Sequence, residues 1–308
     1  MPRLGVVGAT GAVGRVAVGL LGERGFDDVR LFASSRSAGT EIDGRLVEEA
    51  TPGALSAGDL DVCFFSVGSK ASRELVPHAV RGGALCVDKS EAFRLQDGIP
   101  LVVPEVNGAR ALEHDGIVAN PNCCSIPLSL VLKPLQDEAG LRAVRVATYQ
   151  SASGKGARRL QQLLDEPQAE HDLSADWSFD GEEFDEETKI REETRKILEL
   201  PELPVSATCV RVPVAVGHAE SVWVETEEPL DASRAREVLA AAPSVRVDEF
   251  PTPRAAAGGD EVLVGRIRPD RAGDGLSLHL ACDNLRKGAA LNGIQIAELV
   301  LSQRPVAA

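Results

Sequence analysis

Apolar residues in the first third of the chain gather into short runs, separated by stretches whose apolar positions fall at helical spacing. Residues 3–7, 29–33, 61–68 and 84–88 read as strands. Their near-continuous hydrophobicity suits parallel strands covered on both faces, not the alternation of a half-solvated sheet. Helices are predicted after the glycine turn, reaching about residue 24, and over 69–81, and two shorter apolar pieces follow at 101–107 and 116–119. Such alternation predicts a twisted parallel sheet with helices on both faces. Beyond residue 123 the pattern changes. A helix is predicted over 127–139, a strand over 142–150, a helix over 157–164 and a mostly exposed charged helix over 186–198. Then come β-rich stretches at 205–216, 221–226, 262–267 and 276–282, a helix at 231–241 and a terminal helix at 287–301. Strands with few long helices between them predict a mixed or antiparallel sheet. The fold class is α/β, a Rossmann-type parallel-sheet domain followed by an α+β domain.

A length of 308 residues fits two domains, and an apolar fraction of 44% is enough for two cores. No apolar run is long enough to span a membrane, and the start of the chain leads straight into a glycine turn without the features of a signal peptide. Six cysteines are scattered without metal-ligand spacing, so the reading is a reducing cytoplasm, no disulfide framework and no metal. The formal charge of −14 argues against nucleic acid and anionic membrane as partners. Much of it lies in an acidic belt over 165–193, read as solvated surface with an excursion over 165–185. A small anionic substrate would need local Arg and Lys to overcome that field.

Three stretches carry chemistry. In the first, Gly8-Ala9-Thr10-Gly11-Ala12-Val13-Gly14 joins a strand to a helix. Glycines at that spacing permit a tight turn, close backbone approach to a pyrophosphate and close helix packing. A bare glycine triplet can also be an ordinary loop; the preceding strand makes Gly8, Thr10, Gly11, Ala12, Val13 and Gly14 candidate cofactor contacts. The next strand ends in Ser34-Ser35-Arg36, where an NAD site often places an acid. Two hydroxyls and a guanidinium suit a 2′-phosphate, so Ser34, Ser35 and Arg36 point to NADP(H), the alternative being a solvated turn. Ser66 closes another strand of the kind whose ends line a cofactor crevice.

The second is Asn120-Pro121-Asn122-Cys123-Cys124-Ser125, just before an apolar helix. Unsatisfied N–H groups and the helix dipole there favour a thiolate, so Cys123 is a candidate nucleophile for an activated acyl group. A free cysteine is also commonly a small buried hydrophobe. The third is Gly217-His218, which puts a side chain able to carry a proton at neutral pH beside a glycine; a plain turn histidine is the other reading. Gln150 opens a Ser/Gly-rich loop. Arg211 sits among apolar neighbours, and Glu186 and Lys189 stand three apart, as a surface ion pair would.

Taken with Ala92-Phe93-Arg94, Val103-Pro104-Glu105-Val106-Asn107, Glu193-Thr194-Arg195-Lys196 and Asp283-Asn284-Leu285-Arg286, these stretches resemble the aspartate-semialdehyde dehydrogenase family over nearly the whole chain. The resemblance implies an NADP-binding domain over 1–122 and 288–308, its last helix packing back on the first domain, and a catalytic and dimerisation domain over 123–287. It implies Cys123 as the acylated nucleophile, His218 as general acid/base and Gln150 as an aid in placing the thioester. Arg94, Lys189 and Asn122 would meet phosphate, Arg211 the substrate carboxylate and Glu186 its ammonium. Ser153, Gly154 and Asn284 would lie on the cofactor side. The implied activity is NADPH-dependent conversion of L-aspartyl 4-phosphate to L-aspartate 4-semialdehyde and phosphate, feeding amino-acid biosynthesis, by a homodimer or tetramer. A paralogue reducing another acyl phosphate and a non-catalytic family member are the competing readings.

The chain departs from that pattern in places. Gln150 and Glu186 stand only 36 positions apart, without the Asn-x-Ile-Pro-His-like stretch usual there. Lys89-Ser90-Glu91 precedes Ala92-Phe93-Arg94, Lys155 adds a charge, and Cys124 takes the place of a Ser or Thr.

Overall fold

The computed structural model describes residues 2–166 and 177–303. The middle of the expected surface excursion, residues 167–176, lies outside the described residues. The chain forms two compact units, one of Met1–Pro121 with Ala289–Ala308 and one of Asn122–Gly288.

The first unit is built on a seven-stranded sheet of order β3-β4-β2-β1-β5-β6-β7. Its strands are β1 (Leu4–Val7), β2 (Val29–Ala33), β3 (Glu41–Ile42), β4 (Arg45–Glu49), β5 (Val62–Phe65), β6 (Leu85–Asp88) and β7 (Ile117–Ala119). All pairs are parallel except the β3/β4 hairpin at one edge. The central strands β1, β5 and β6 are buried along their whole length, as covering by helices on both faces requires. The helices are α1 (Ala12–Glu23), the short α2 (Pro52–Leu55), α3 (Ser69–Arg81) and the short α4 (Pro104–Asn107). The 101–107 piece is thus no strand: Leu101 makes one bridge to Ala119, and Pro104 then starts a helical turn. Proline is well suited to that first helical position, because its missing N–H would be unbonded there anyway.

The second unit opens with α5 (Ser125–Ala139) and carries a mixed six-stranded sheet of order β11-β12-β13-β10-β8-β9. In chain order its other elements are β8 (Leu141–Gln150), α6 (Ala157–Asp165), α7 (Asp185–Leu198), β9 (Val205–Arg211), β10 (His218–Thr226), α8 (Ala232–Ala240), β11 (Val245–Val247), the short α9 (Pro253–Ala256), β12 (Val262–Pro269) and β13 (Leu276–Cys282). Alternation along β8 sends Val144, Val146, Thr148 and Gln150 inward and Arg145 and Tyr149 outward. The inner face packs against α5, with α7 and α8 flanking it.

The reading of α7 as mostly exposed is corrected. One face buries Glu186, Glu187, Ile190, Glu193, Thr194, Ile197 and Leu198. Its carboxylates meet N–H donors: Glu187 takes those of Phe184 and Cys209, and Glu193 that of Asn122. The part of the acidic belt on this helix is therefore not simply solvated. The final helix, α10 (Leu291–Gln303), follows a π-helical turn at Arg286–Ala290 and packs on α1, β5 and β6 of the first unit.

Candidate active site

Cys123 lies immediately before the N-terminus of α5. The turn that presents it is held by Asn122, whose Oδ1 accepts the Cys124 N–H at 2.8 Å while its carbonyl accepts the Ile126 N–H at 3.1 Å. Two acids of α7 hold the other side of that turn. Glu193 Oε2 accepts the Asn122 N–H at 2.6 Å, and Glu186 Oε1 accepts Asn122 Nδ2–H at 2.9 Å. All six cysteines are free thiols, and Cys123 alone is partly exposed.

His218 is the first residue of β10, not a turn residue, and pairs in register with Cys282. Gly217 before it has φ +95°, and a Cβ there would stand 2.5 Å from the Pro253 carbonyl oxygen, so only glycine makes this approach. His218 Nε2 lies 3.2 Å from Cys123 Sγ. Nδ1 lies 3.0 Å from the Ser151 N–H and 3.1 Å from Ser151 Oγ. A backbone N–H only donates, so Nδ1 accepts, and the ring proton of the neutral imidazole sits on Nε2, facing the sulfur. Ser151 is fixed in turn: its Oγ donates to Asn284 Oδ1, which also accepts from Ser153 Oγ and the Gly217 N–H. The donor atoms of Cys123, Cys124 and His218 lie within 4.8 Å of one another, a spacing a metal ion would accept. The ring nitrogen offered there carries a hydrogen instead of a free lone pair, so the trio is arranged to hold a proton.

The remaining candidates of this unit surround the pair. Gln150 ends β8; its Nε2 donates to Glu186 Oε1 at 3.1 Å. Arg211, paired with Gln150 across β8 and β9, donates from Nη1 to the Ser151 carbonyl at 3.0 Å and to Gln150 Oε1 at 3.4 Å. The Trp177 ring covers its guanidinium at 4.7 Å. Gly154 is exposed at the surface of this cluster, and a Cβ there would stand 2.8 Å from Arg211 Nη1 and 3.0 Å from His218 Cε1. Lys189, one turn from Glu186 on α7, donates to Asp185 Oδ2 at 2.9 Å and stands 3.9 Å from Glu186.

The electrostatics favour a thiolate. A hydrogen bond from Cys124 holds the Cys123 thiol well below its usual range; burial opposes this, and the His218 ring and Arg211 guanidinium reinforce it. Burial, then the nearby Cys123 sulfur, pushes the Glu186 carboxyl up, against the bonds from Asn122 and Gln150. The sequence reading passed over Ser151, Trp177 and Glu193 as parts of this site.

The first unit gathers the remaining candidates. Gly8 follows β1 with φ +89°, and a Cβ on it would stand 2.3 Å from the Ser66 carbonyl oxygen. One on Gly14 would stand 2.1 Å from the Gly8 carbonyl oxygen. Gly11 caps α1, whose first turn holds no acid and no side-chain cap, so Ala12 and Val13 present the helix N-terminus beside Thr10. Such a cradle fits the pyrophosphate of a dinucleotide, at the point where β1 meets β2 on one side and β5 on the other. Ser34, Ser35 and Arg36 form an exposed turn after β2. Arg94 is buried, donating from Nε to the Asn120 carbonyl at 3.1 Å and from Nη2 to that of Lys89 at 2.6 Å.

Two family models match the chain: a semialdehyde dehydrogenase NAD-binding domain over residues 3–114, and a semialdehyde dehydrogenase dimerisation domain over residues 132–287. The aspartate-semialdehyde dehydrogenase of Streptomyces akiyoshiensis is 44% identical over 336 aligned positions, covering 98% of this chain and 99% of the relative. That of Corynebacterium glutamicum is 43% identical, covering 98% of this chain and all of the relative. Among solved structures, aspartate semialdehyde dehydrogenase II of Vibrio cholerae, complexed with ASA, superposes with a TM-score of 0.92 at 36% identity, covering 98% of this chain and 99% of that one. The enzyme of Candida albicans with NADP reaches 0.78 at 26% identity, each chain covered to 98%.

Proposed function

This chain belongs to the aspartate-semialdehyde dehydrogenase family, and from that premise we propose that its site reduces L-aspartyl 4-phosphate to L-aspartate 4-semialdehyde through a thioester on Cys123. One observation carries the reading: a sulfur at a helix N-terminus, 3.2 Å from an imidazole whose other nitrogen is committed to a backbone N–H. Cys123 Sγ attacks the acyl carbon and phosphate leaves. The Nε2–H of His218 steadies the resting thiolate, hydrogen-bonds the substrate oxygen as negative charge develops there, and turns back to the sulfur when the aldehyde forms and the thiolate is released. Gln150 holds the acyl group in the cleft. Arg211 offers a guanidinium to the substrate carboxylate and Glu186 a carboxylate to its ammonium, a match to an aspartyl skeleton. Lys189 and Arg94 are assigned to phosphate. Asn122, occupied by Glu186 and Cys124, reaches substrate only by exchanging its bond to Glu186.

A nicotinamide dinucleotide, when bound, supplies the hydride. We assign its pyrophosphate to the Gly8–Gly14 turn with Thr10, Gly11, Ala12 and Val13, and its 2′-phosphate to Ser34, Ser35 and Arg36, which favours NADPH. Ser66 and the turn at Ser153 and Gly154, braced by Asn284, complete the cofactor side. The domain roles assigned are NADP binding for 1–122 with 288–308, and catalysis with dimerisation for 123–287. A homodimer through the outer face of the second sheet is supported by the dimerisation-domain match and by the exposed Tyr149 on that face. No helix among the described residues is long and apolar enough to cross a membrane. Six free thiols support a cytoplasmic setting.

The test is a panel of aldehydes, with and without phosphate and with each nicotinamide, followed by nicotinamide absorbance. Phosphate-dependent turnover of aspartate semialdehyde, lost in Cys123→Ala, is expected. Turnover of a different aldehyde alone would select a specialised paralogue, and normal turnover by the Cys123 variant would remove the nucleophile assignment.

A further inference from the structure

Beneath the reacting pair lies a carboxyl that the mechanism does not use. Glu220 stands two residues after His218 on β10, on the same inward face, opposite Thr148 of β8 and Leu280 of β13. It is fully buried, and neither carboxyl oxygen has a hydrogen-bond donor among the described residues that meets ordinary geometry. A buried acid left so is costly, and it calls for a reason. The group that acts on it is the thiol of Cys124, itself fully buried. Cys124 links the two groups: it acts on the Glu220 carboxyl, and its sulfur lies within 4.8 Å of that of Cys123.

We propose that Glu220 and Cys124 form a chain of hydrogen bonds, from the Glu220 hydroxyl to Cys124 Sγ and from the Cys124 S–H to Cys123 Sγ, that holds the nucleophile as a thiolate. Cys124 is a positioning residue in this scheme and Glu220 its support. The direction of the chain follows from what each end can do. The Cys123 thiolate only accepts, so Cys124 must point its single proton there, which leaves its sulfur as an acceptor toward Glu220. An ionised Glu220 would set two acceptors and two like charges about one thiol. A protonated one supplies the missing donor. Burial, then the nearness of the Cys123 sulfur, drives Glu220 toward its protonated form and outweighs the opposing hydrogen bond from Cys124, and burial does the same for the Cys124 thiol. The chain is neutral, so it stabilises the thiolate without a cation that would compete for an anionic substrate.

Other groups that face Cys123 are His218 on β10, Arg211 on β9, Glu186 on α7 and Cys282 on β13. All remain in a Cys124 variant, so a difference between variant and parent isolates the chain. The inference rests on Cys123 being the nucleophile but not on the identity of the substrate. Alkylation of Cys123 by iodoacetamide as a function of pH, read by mass spectrometry on enzyme without ligands, therefore tests it independently of turnover.

In Cys124→Ala the midpoint of the alkylation profile should rise by about one pH unit, so that Cys123 reacts about tenfold more slowly below it. Cys124→Ser, which keeps a donor in place, should stay within about twofold of the parent. Glu220→Gln, whose amide still donates, should stay close to the parent, while Glu220→Leu should shift in the direction of Cys124→Ala. The infrared difference between parent and Glu220→Gln at neutral pH should show the carbonyl stretch of a protonated carboxylic acid, a measurement that needs only the isosteric variant to fold. An unshifted Cys124→Ala profile would overturn the proposal. So would a Cys124→Ser profile shifted as far as that of Cys124→Ala, or a carboxylate band from Glu220.

Discussion

Replacing Gly154 by alanine tests the geometry of the site most directly, because the added methyl has nowhere to go. Its Cβ would meet Arg211 Nη1 at 2.8 Å, His218 Cε1 at 3.0 Å and His218 Nε2 at 3.1 Å. Contact with the end of a flexible side chain is usually relieved at little cost. Here Arg211 is tied to the Ser151 carbonyl and covered by Trp177, and His218 is tied to the Ser151 N–H, so neither yields freely. Overpacking of this kind costs about 1–3 kcal/mol. The backbone at Gly154 suits any residue, and Gly→Ala at such a position returns about 0.4–1 kcal/mol by restricting the unfolded chain. The net is a loss of about 0–2.6 kcal/mol, so stability should fall modestly. Catalysis should not be spared. A ring displaced by a few tenths of an ångström loses the 3.2 Å contact to Cys123 Sγ, and since about 1 Å of misplacement costs roughly 100-fold, a fall in kcat of roughly tenfold is expected. Gly156→Ala is the control. Its φ is +97° and ψ 175°, a region essentially confined to glycine, with nothing within 4 Å, so it should lower Tm through backbone strain of about 1–3 kcal/mol and leave kcat alone. Steady-state kinetics and thermal unfolding of both variants separate the two effects. Parental kcat in Gly154→Ala would refute the claim that this packing holds the imidazole in place.

Arg36→Ala should raise the KM for NADPH about tenfold and barely alter that for NADH; equal effects in a two-cofactor titration would count against a 2′-phosphate site. Trp177→Ala removes the ring over Arg211, a contact worth about 0.5–2 kcal/mol, and should raise the aldehyde KM several-fold with kcat changed less. An unchanged KM would detach Trp177 from the substrate site. Glu220, with its folded pKa raised above the unfolded value, binds a proton more tightly in the native state. Its contribution is complete below the unfolded carboxyl range and is lost as pH rises through the raised value. Urea unfolding at pH values rising from the ordinary carboxyl range should then show Glu220→Gln losing less stability than the parent; parallel curves would contradict the buried neutral acid.

Periodicity carried the large elements. The helix read over 69–81 and the strand over 276–282 have those bounds in the structure, because long repeating patterns leave little choice. The β3/β4 hairpin and β11 escaped it: β3 and β11 are only two and three residues long, and β4 sets Leu46 and Val47 among charged residues. Exposure on α7 was misjudged for a different reason. Charge in a sequence counts as solvated until its partner is known, and the partners of Glu187 and Glu193 are backbone N–H groups that sequence spacing does not reveal. Within the site, Cys123 and His218 were legible from residue type and setting. Ser151 and Glu220 were not, since their proximity to that pair depends on register between strands: Ala219 lies opposite Tyr149 and Glu220 opposite Thr148, which aligns His218 with the start of the serine loop. Trp177 stood in an acidic stretch with no periodic signal at all.

The proposed function requires a chain of net charge −14 to maintain a thiolate and still receive an anion. Three carboxyls, Glu186, Glu193 and Glu220, are buried about the Cys123 turn, and a fully ionised set beside a thiolate would repel a phosphate-bearing substrate. Each is handled differently. Glu193 accepts the Asn122 N–H and so faces the backbone, not the cleft. Glu186 is shared between two amides, its ionisation opposed by burial and by the sulfur, and becomes a better anion once an ammonium arrives. Glu220 has a thiol as its neighbour, and burial favours its neutral form. In the proposed scheme the thiolate is supported by Nε2–H and S–H donors, and Arg211 is the group proposed to meet the substrate carboxylate. Loading the site with aspartate semialdehyde should consequently lower the Glu186 pKa, an increase in carboxylate absorption visible by infrared difference and absent from Glu186→Gln. A substrate lacking the ammonium should leave that band unchanged; the same increase with both ligands would separate Glu186 from ammonium recognition.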